Sequence, residues 1–203
     1  MAITFEELKP YISRRIPISI CFRDGYYDDY ILISDIPEDK YDDLYVYGIG
    51  TVDVEFPLDV YKRPAVTLTE DRISSKEVCF ECGLEIVLQE RPRSVHRKDE
   101  QMLHFADLRE YLQIGMNFSV VMREDWSAEF YTWKKDIPEQ YNKFYVYGIG
   151  MDDVSKEDVY FKNMEYDRIK DTHAAKAITI VLSENPREDI KGYDKCGNTC
   201  KEN

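Results

Sequence analysis

The sequence predicts an α+β protein made by tandem duplication of a small unit, one N-terminal helix packed on a twisted antiparallel sheet of four to five strands. Three observations carry this expectation. Tyr45-Val46-Tyr47-Gly48-Ile49-Gly50 returns letter for letter at Tyr145 to Gly150. Asp35-Ile36-Pro37-Glu38 returns at Asp136-Ile137-Pro138-Glu139, and Phe5, Leu8 and Tyr11 match Phe105, Leu108 and Tyr111. Within each copy the hydrophobic period also changes from helical to alternating.

Phe5, Leu8 and Ile12 stand three and four apart, which predicts a short helix over 5–13. Ile16, Ile18, Ile20 and Phe22 then alternate with polar or small residues, as do Met116, Phe118, Val120 and Met122, so both read as half-buried strands. Asp24-Gly25 is a turn signal, and Tyr30 to Ser34 reads as the returning strand of a hairpin. Pro37 lacks an N–H and holds Ile36 extended, which ends the sheet there. Further strands are expected at 44–56 and 83–89, with a weaker one at 65–69. Ile86-Val87-Leu88 matches Ile180-Val181-Leu182 and Asp71-Arg72-Ile73 matches Asp167-Arg168-Ile169, so the offset shrinks as loops are trimmed. The expected organisation is repeat domain 1 over 1–93, a polar linker over 94–102, repeat domain 2 over 103–187 and a polar tail over 188–203.

The 203 residues carry 40 Asp plus Glu against 27 Lys plus Arg, a formal charge of -13. Such acidity disfavours a sequence-independent grip on phosphates, so no direct nucleic-acid binding is expected. No apolar run approaches the roughly 18 residues of a membrane span, and the N-terminus lacks the basic and apolar regions of a signal peptide, which points to the cytoplasm.

Catalysis would need a nucleophile, base or metal set, and the histidines are only His96, His104 and His173. None pairs with a matched Ser or Cys. The acids shared by both copies, including Asp35, Glu38, Asp53, Asp59 and Asp71, suit turn and surface roles better than acid–base work. The expectation is therefore a non-enzyme with no cofactor. Gly48-Ile49-Gly50 lacks a third glycine, a Lys-Ser or Lys-Thr and a following helix pattern; a bulge or bend in a strand explains it better than a phosphate loop. Cys79-Phe80-Glu81-Cys82 has knuckle spacing, and Cys196 and Cys200 could complete a zinc tetrahedron. The pairs lie far apart in the chain, so reduced thiols are the favoured reading there and at Cys21.

The remaining signal is acidic and aromatic. Residues 24–59 hold eleven acids against Lys40 alone, a local charge of -10, whereas 124–158 hold nine acids against four lysines, or -5. Tyrosines interleave with these acids, and tyrosine suits interfaces because it adds large rigid area with a polar tip. The expected partner-binding set is Asp24, Tyr26, Tyr27, Asp28, Asp29, Asp39, Asp42, Asp43, Tyr45 and Tyr47. In size, acidity and lack of a catalytic set the chain resembles, as a class, phage and mobile-element inhibitors of restriction or CRISPR nucleases. That resemblance implies mimicry of nucleic acid against a basic groove on a protein partner. The alternatives are an adaptor module with zinc at the cysteines, a small-molecule sequestering protein using a cleft between the copies, or an acidic surface that only keeps the chain soluble.

Overall fold

The computed structural model describes residues 2–57, 78–93, 102–154 and 175–189. These form a mixed α/β fold with two four-stranded sheets and few helices. The linker at 94–101, the strand expected at 65–69, His96, His173, Asp59, Asp71 and the tail from 190 onward lie outside the described residues.

The first helix is a single turn. Helix α1 (Phe5–Leu8) is capped by Thr4, whose Oγ1 accepts from Glu7 N at 3.3 Å while Glu7 Oε2 accepts from Thr4 N at 3.0 Å. A 3-10 turn (Lys9–Tyr11) follows and the chain then becomes extended. The expected helix over 5–13 is thus halved, because Ile12 and Ser13 pair with Ile149; Leu112 and Gln113 pair likewise with Ile49, where no proline precedes them. Helix α2 (Phe105–Arg109) takes the same place in the second copy, with His104 at its N-cap position. Phe5, Leu8, Phe105 and Leu108 are all buried.

Strands β1 (Ile18–Phe22) and β2 (Tyr27–Tyr30) form the first hairpin. The tight turn between them uses Gly25 at φ 92, a left-handed conformation open to glycine without a Cβ clash. Phe22 N then donates to Tyr26 O at 2.7 Å, so pairing resumes at Tyr27 and the returning strand ends before the expected Ile31 to Ser34. Those residues bend instead into a 3-10 turn (Ile33–Asp35), where Asp35 Oδ2 accepts from Leu32 N at 3.2 Å. Asp35 is thereby the turn-forming acid that the sequence suggests.

Strand β3 (Tyr45–Pro57) pairs antiparallel with β4 (Val78–Gln89). The register slips between Val46 and Gly48, which places the expected irregularity at the YVYGIG motif as a bulge. The sheet order is β2-β1-β4-β3, and β1 runs parallel to β4, so the sheet is mixed rather than antiparallel. Period-two alternation reveals a strand but not the direction of its neighbour. Strands β5 (Asn117–Met122), β6 (Ala128–Tyr131), β7 (Tyr145–Val154) and β8 (Ala175–Ser183) repeat the plan with order β6-β5-β8-β7 and the same slip between Val146 and Gly148.

The two sheets meet through reciprocal pairing. Ile49 N donates to Tyr111 O at 2.8 Å and Gln113 N donates to Ile49 O at 2.9 Å. In the opposite sense Ser13 N donates to Ile149 O at 2.7 Å. Tyr111 Oη accepts from Ile3 N at 3.2 Å, and Tyr11 Oη accepts from Leu103 N at 3.4 Å. Gly50 leaves room for the Gln113 and Glu85 side-chain ends, since a Cβ there would lie 2.5 Å from Gln113 Oε1 and 3.0 Å from Glu85 Oε2 unless they moved. Tyr11, Ile12, Ile49, Tyr111, Leu112 and Ile149 are buried in one continuous apolar cluster with residues of both sheets.

The Tyr111→Phe variant leaves a buried Ile3 N–H without its acceptor, and unfolding in urea should show a loss of about 1–2 kcal/mol. An unchanged midpoint would mean that the cross-copy hydroxyl carries no stability.

Candidate functional site

The acidic, tyrosine-rich surface of the first copy is assembled around Tyr41. Its ring is buried and sits edge-on to Phe5 at 6.0 Å and to Tyr30 at 6.3 Å, with Phe22 at 5.8 Å. Its hydroxyl donates to Asp28 Oδ2, which also accepts from Lys40 Nζ at 2.9 Å. Lys40 Nζ further approaches Tyr30 Oη at 3.1 Å. This cluster ties the β1–β2 hairpin to the loop carrying Asp39, Asp42 and Asp43, so the two acidic segments hold a fixed relation.

The ten expected contact residues fall into three groups. Tyr26 and Tyr27 are 64% and 62% exposed at the hairpin tip. Asp24, Asp39 and Asp43 are exposed and Asp29 is half-buried, and among the described residues no cation lies within ion-pair reach of any of them. Asp24 caps its own turn by accepting from Tyr26 N at 3.2 Å, and Asp39 adopts φ 60, which a short polar side chain tolerates. These six residues form the accessible patch.

Asp28 and Asp42 serve the structure instead. The Tyr41 hydroxyl, followed by Lys40, holds the Asp28 carboxyl below the usual carboxylate range. Asp42 is pushed the other way by burial, only partly countered by Lys9 at 3.9 Å, and its Oδ1 is buried without a hydrogen bond. Reading both as plain surface acids was the expectation; the loop folding back under Tyr41 makes them half-buried.

Tyr47 belongs to the seam between the copies, whereas Tyr45 pairs within the first copy. Tyr45 bridges Thr4 at the start of β3 and is half-buried. The Tyr47 ring lies against two guanidinium groups, Arg23 at 4.8 Å and Arg93 at 5.2 Å. Arg93 also stacks on Tyr111 at 5.2 Å and donates to Tyr47 O at 2.8 Å and Glu110 O at 3.1 Å, locking one copy onto the other. Arg187 repeats this with Tyr147, Tyr11 and Pro10 O. These arginines were not anticipated, although Pro92-Arg93 and Pro186-Arg187 continue the offset of Ile86 and Ile180.

Trp126 was also missed. It is 69% exposed at the tip of the second hairpin, at φ 56, a conformation uncommon for a bulky residue. The signal was Asp125-Trp126 in the position of Asp24-Gly25, in a turn one residue longer.

The other candidates separate from this patch. His104 stacks on Tyr145 at 4.3 Å beside Lys143 O, at the N-cap position of α2. Cys21 is half-buried, with its thiol pushed up to about 11 by burial, which makes it a poor nucleophile. Cys79 and Cys82 both lie in the continuous strand β4, whereas a zinc knuckle needs a turn between its ligands. Cys196 and Cys200 lie outside the described residues. Among the described residues, no group of three or more His, Cys, Asp or Glu is placed to hold a metal ion, and no helix is long and apolar enough to cross a membrane. At the seam between the copies, Tyr11, Ile12, Ile49, Tyr111, Leu112 and Ile149 are buried. No protein-family model matches the chain, and no curated protein or solved structure matches it.

Asp28 and Asp42 should respond to acid with opposite signs. Asp28 has its carboxyl lowered on folding, so it stabilises the fold above about pH 4 and loses that contribution as pH falls through the folded value. Asp42 has its carboxyl raised, so its charge opposes folding at neutral pH and protonation relieves the cost. Urea midpoints at pH 7 should fall for Asp28→Asn and stay equal or rise for Asp42→Asn, with the Asp28→Asn difference shrinking toward pH 3. A loss at pH 7 for Asp42→Asn alone would reverse this assignment.

Proposed function

We propose that this is a non-enzymatic binding protein that docks on a basic surface of another protein through Asp24, Tyr26, Tyr27, Asp29, Asp39 and Asp43. The observation that carries this reading is the pairing of two exposed tyrosines with acids that have no cationic partner among the described residues. Aromatic anchors ringed by charge suit a protein interface, since the rings supply buried area and the charges supply long-range attraction. A basic surface of this kind is the nucleic-acid groove of a defence nuclease, with the carboxylates standing in for phosphates. On this reading the chain is a cytoplasmic inhibitor of phage or mobile-element type. It is then a tandem duplication whose repeats at 1–93 and 103–187 each pack an N-terminal helical turn on their sheet, joined by the linker at 94–102 and followed by the tail at 188–203.

The experiment is a pull-down from the native host, followed by stopped-flow rates with the recovered protein. A basic protein should be recovered. Changing Asp24, Asp29, Asp39 and Asp43 to Asn should slow association by roughly tenfold or more at low ionic strength, with the gap closing as salt rises. Tyr26→Ala with Tyr27→Ala should instead speed dissociation. Parent-like association of the four-Asn variant would remove the acidic patch from the interface.

A further inference from the structure

We propose that β2 is a strand-addition site, at which an extended basic segment of the partner pairs with the open edge of the first sheet. This rests on the reading of the acidic hairpin as a docking surface and names how its partner is held.

The geometry follows from the hairpin. Phe22 N donates to Tyr26 O, which marks that pair as hydrogen-bonded. Antiparallel pairs alternate, so Ile20 with Asp28 and Ile18 with Tyr30 are also bonded pairs, while Cys21 with Tyr27 and Ser19 with Asp29 are not. The peptide groups of Tyr27 and Asp29 therefore face away from β1. Strand β2 ends its sheet, and among the described residues no hydrogen bond reaches those outward groups.

The other end of the same sheet is treated differently. Strand β3 is covered over 44–49 by bonds from Phe5 N to Leu44 O, from Val46 N to Ile3 O and from Ile49 N to Tyr111 O. Strand β7 is covered likewise by Phe105 N to Phe144 O, Val146 N to Leu103 O and Ser13 N to Ile149 O. An open edge is a template for pairing, and it is the edge beside the accessible acids that stays open.

A strand added there gains four backbone bonds, two from each outward residue, and its alternate side chains lie beside Tyr27 and Asp29. Asp29 selects Lys or Arg, and the exposed Tyr27 ring selects an apolar or aromatic neighbour. Asp24, Asp39 and Asp43 supply attraction at longer range. Strand β6 is the equivalent edge, but its outward residues are Ala128 and Phe130, and Glu129 on its other face accepts from Tyr131 Oη. A basic segment therefore prefers β2.

The probe is a ten-residue peptide with blocked ends whose one face carries lysine and valine in turn (Lys-Thr-Val-Thr repeated), compared with the same peptide N-methylated at every residue. The methylated form keeps its charge and has no N–H to donate along either edge. Titration of the full chain by NMR should show the plain peptide binding, slowed amide exchange at Tyr27 and Asp29, and binding of the methylated peptide at least about tenfold weaker. Asp29→Pro removes only an outward N–H, so it should weaken the plain peptide more than Asp29→Asn does. If Asp29→Pro fails to fold, the exchange data on the parent protein decide. Equal affinity for the two peptides would overturn strand addition and leave the acidic docking surface in place. Binding of neither peptide would overturn strand addition and count against a basic partner as well.

Discussion

The structure depends on the reciprocal pairing of each copy's YVYGIG strand with the other copy's segment after its helical turn. A strand edge left open beside an apolar face would expose both unpaired peptide groups and core. Here Ile49 is bonded on that side by Tyr111 and Gln113, and Ile149 by Ser13. The tyrosine hydroxyls reach across to backbone amides, and Arg93 and Arg187 close the seam from outside by stacking on rings and bonding to carbonyls of both copies. One apolar cluster results, which relieves the difficulty that a 90-residue unit has in burying enough surface alone.

The same constraint decides where a partner can reach. The seam takes up β3 and β7 with Tyr47, so the hairpin edges and tips are left at the far ends of the sheets. The two ends are no longer chemically alike. The first carries Tyr26, Tyr27 and acids with no cationic partner among the described residues, and the second carries Trp126. Both sheets share the seam pairing, while their hairpin tips differ.

What could be read from the sequence followed from how local the cause was. The exact return of YVYGIG reveals the duplication and a strand, and its glycines indicate a bulge, because a two-glycine strand tolerates close approach of other backbone. The helix was overestimated, since Phe5, Leu8 and Ile12 keep helical spacing although Ile12 is spent on pairing with the other copy. The parallel neighbourhood of β1 and β4 leaves no trace in alternation. Asp28 and Asp42 look like their exposed neighbours until Tyr41 folds beneath the hairpin. Tyr47 meets Arg93 from 46 residues away in sequence, a contact that no local pattern records.

The most direct test of a shared core uses the fact that both tryptophans, Trp126 and Trp133, lie in the second copy. With Trp126 changed to Phe, fluorescence reports on Trp133 alone. An Ile20→Ala cavity in β1 of the first copy should cost about 2–5 kcal/mol. If the seam makes the copies one cooperative unit, the urea midpoints from Trp133 fluorescence and far-ultraviolet circular dichroism will coincide and shift down together. A Trp133 transition that stays at its parent midpoint while circular dichroism shifts would show two units folding separately.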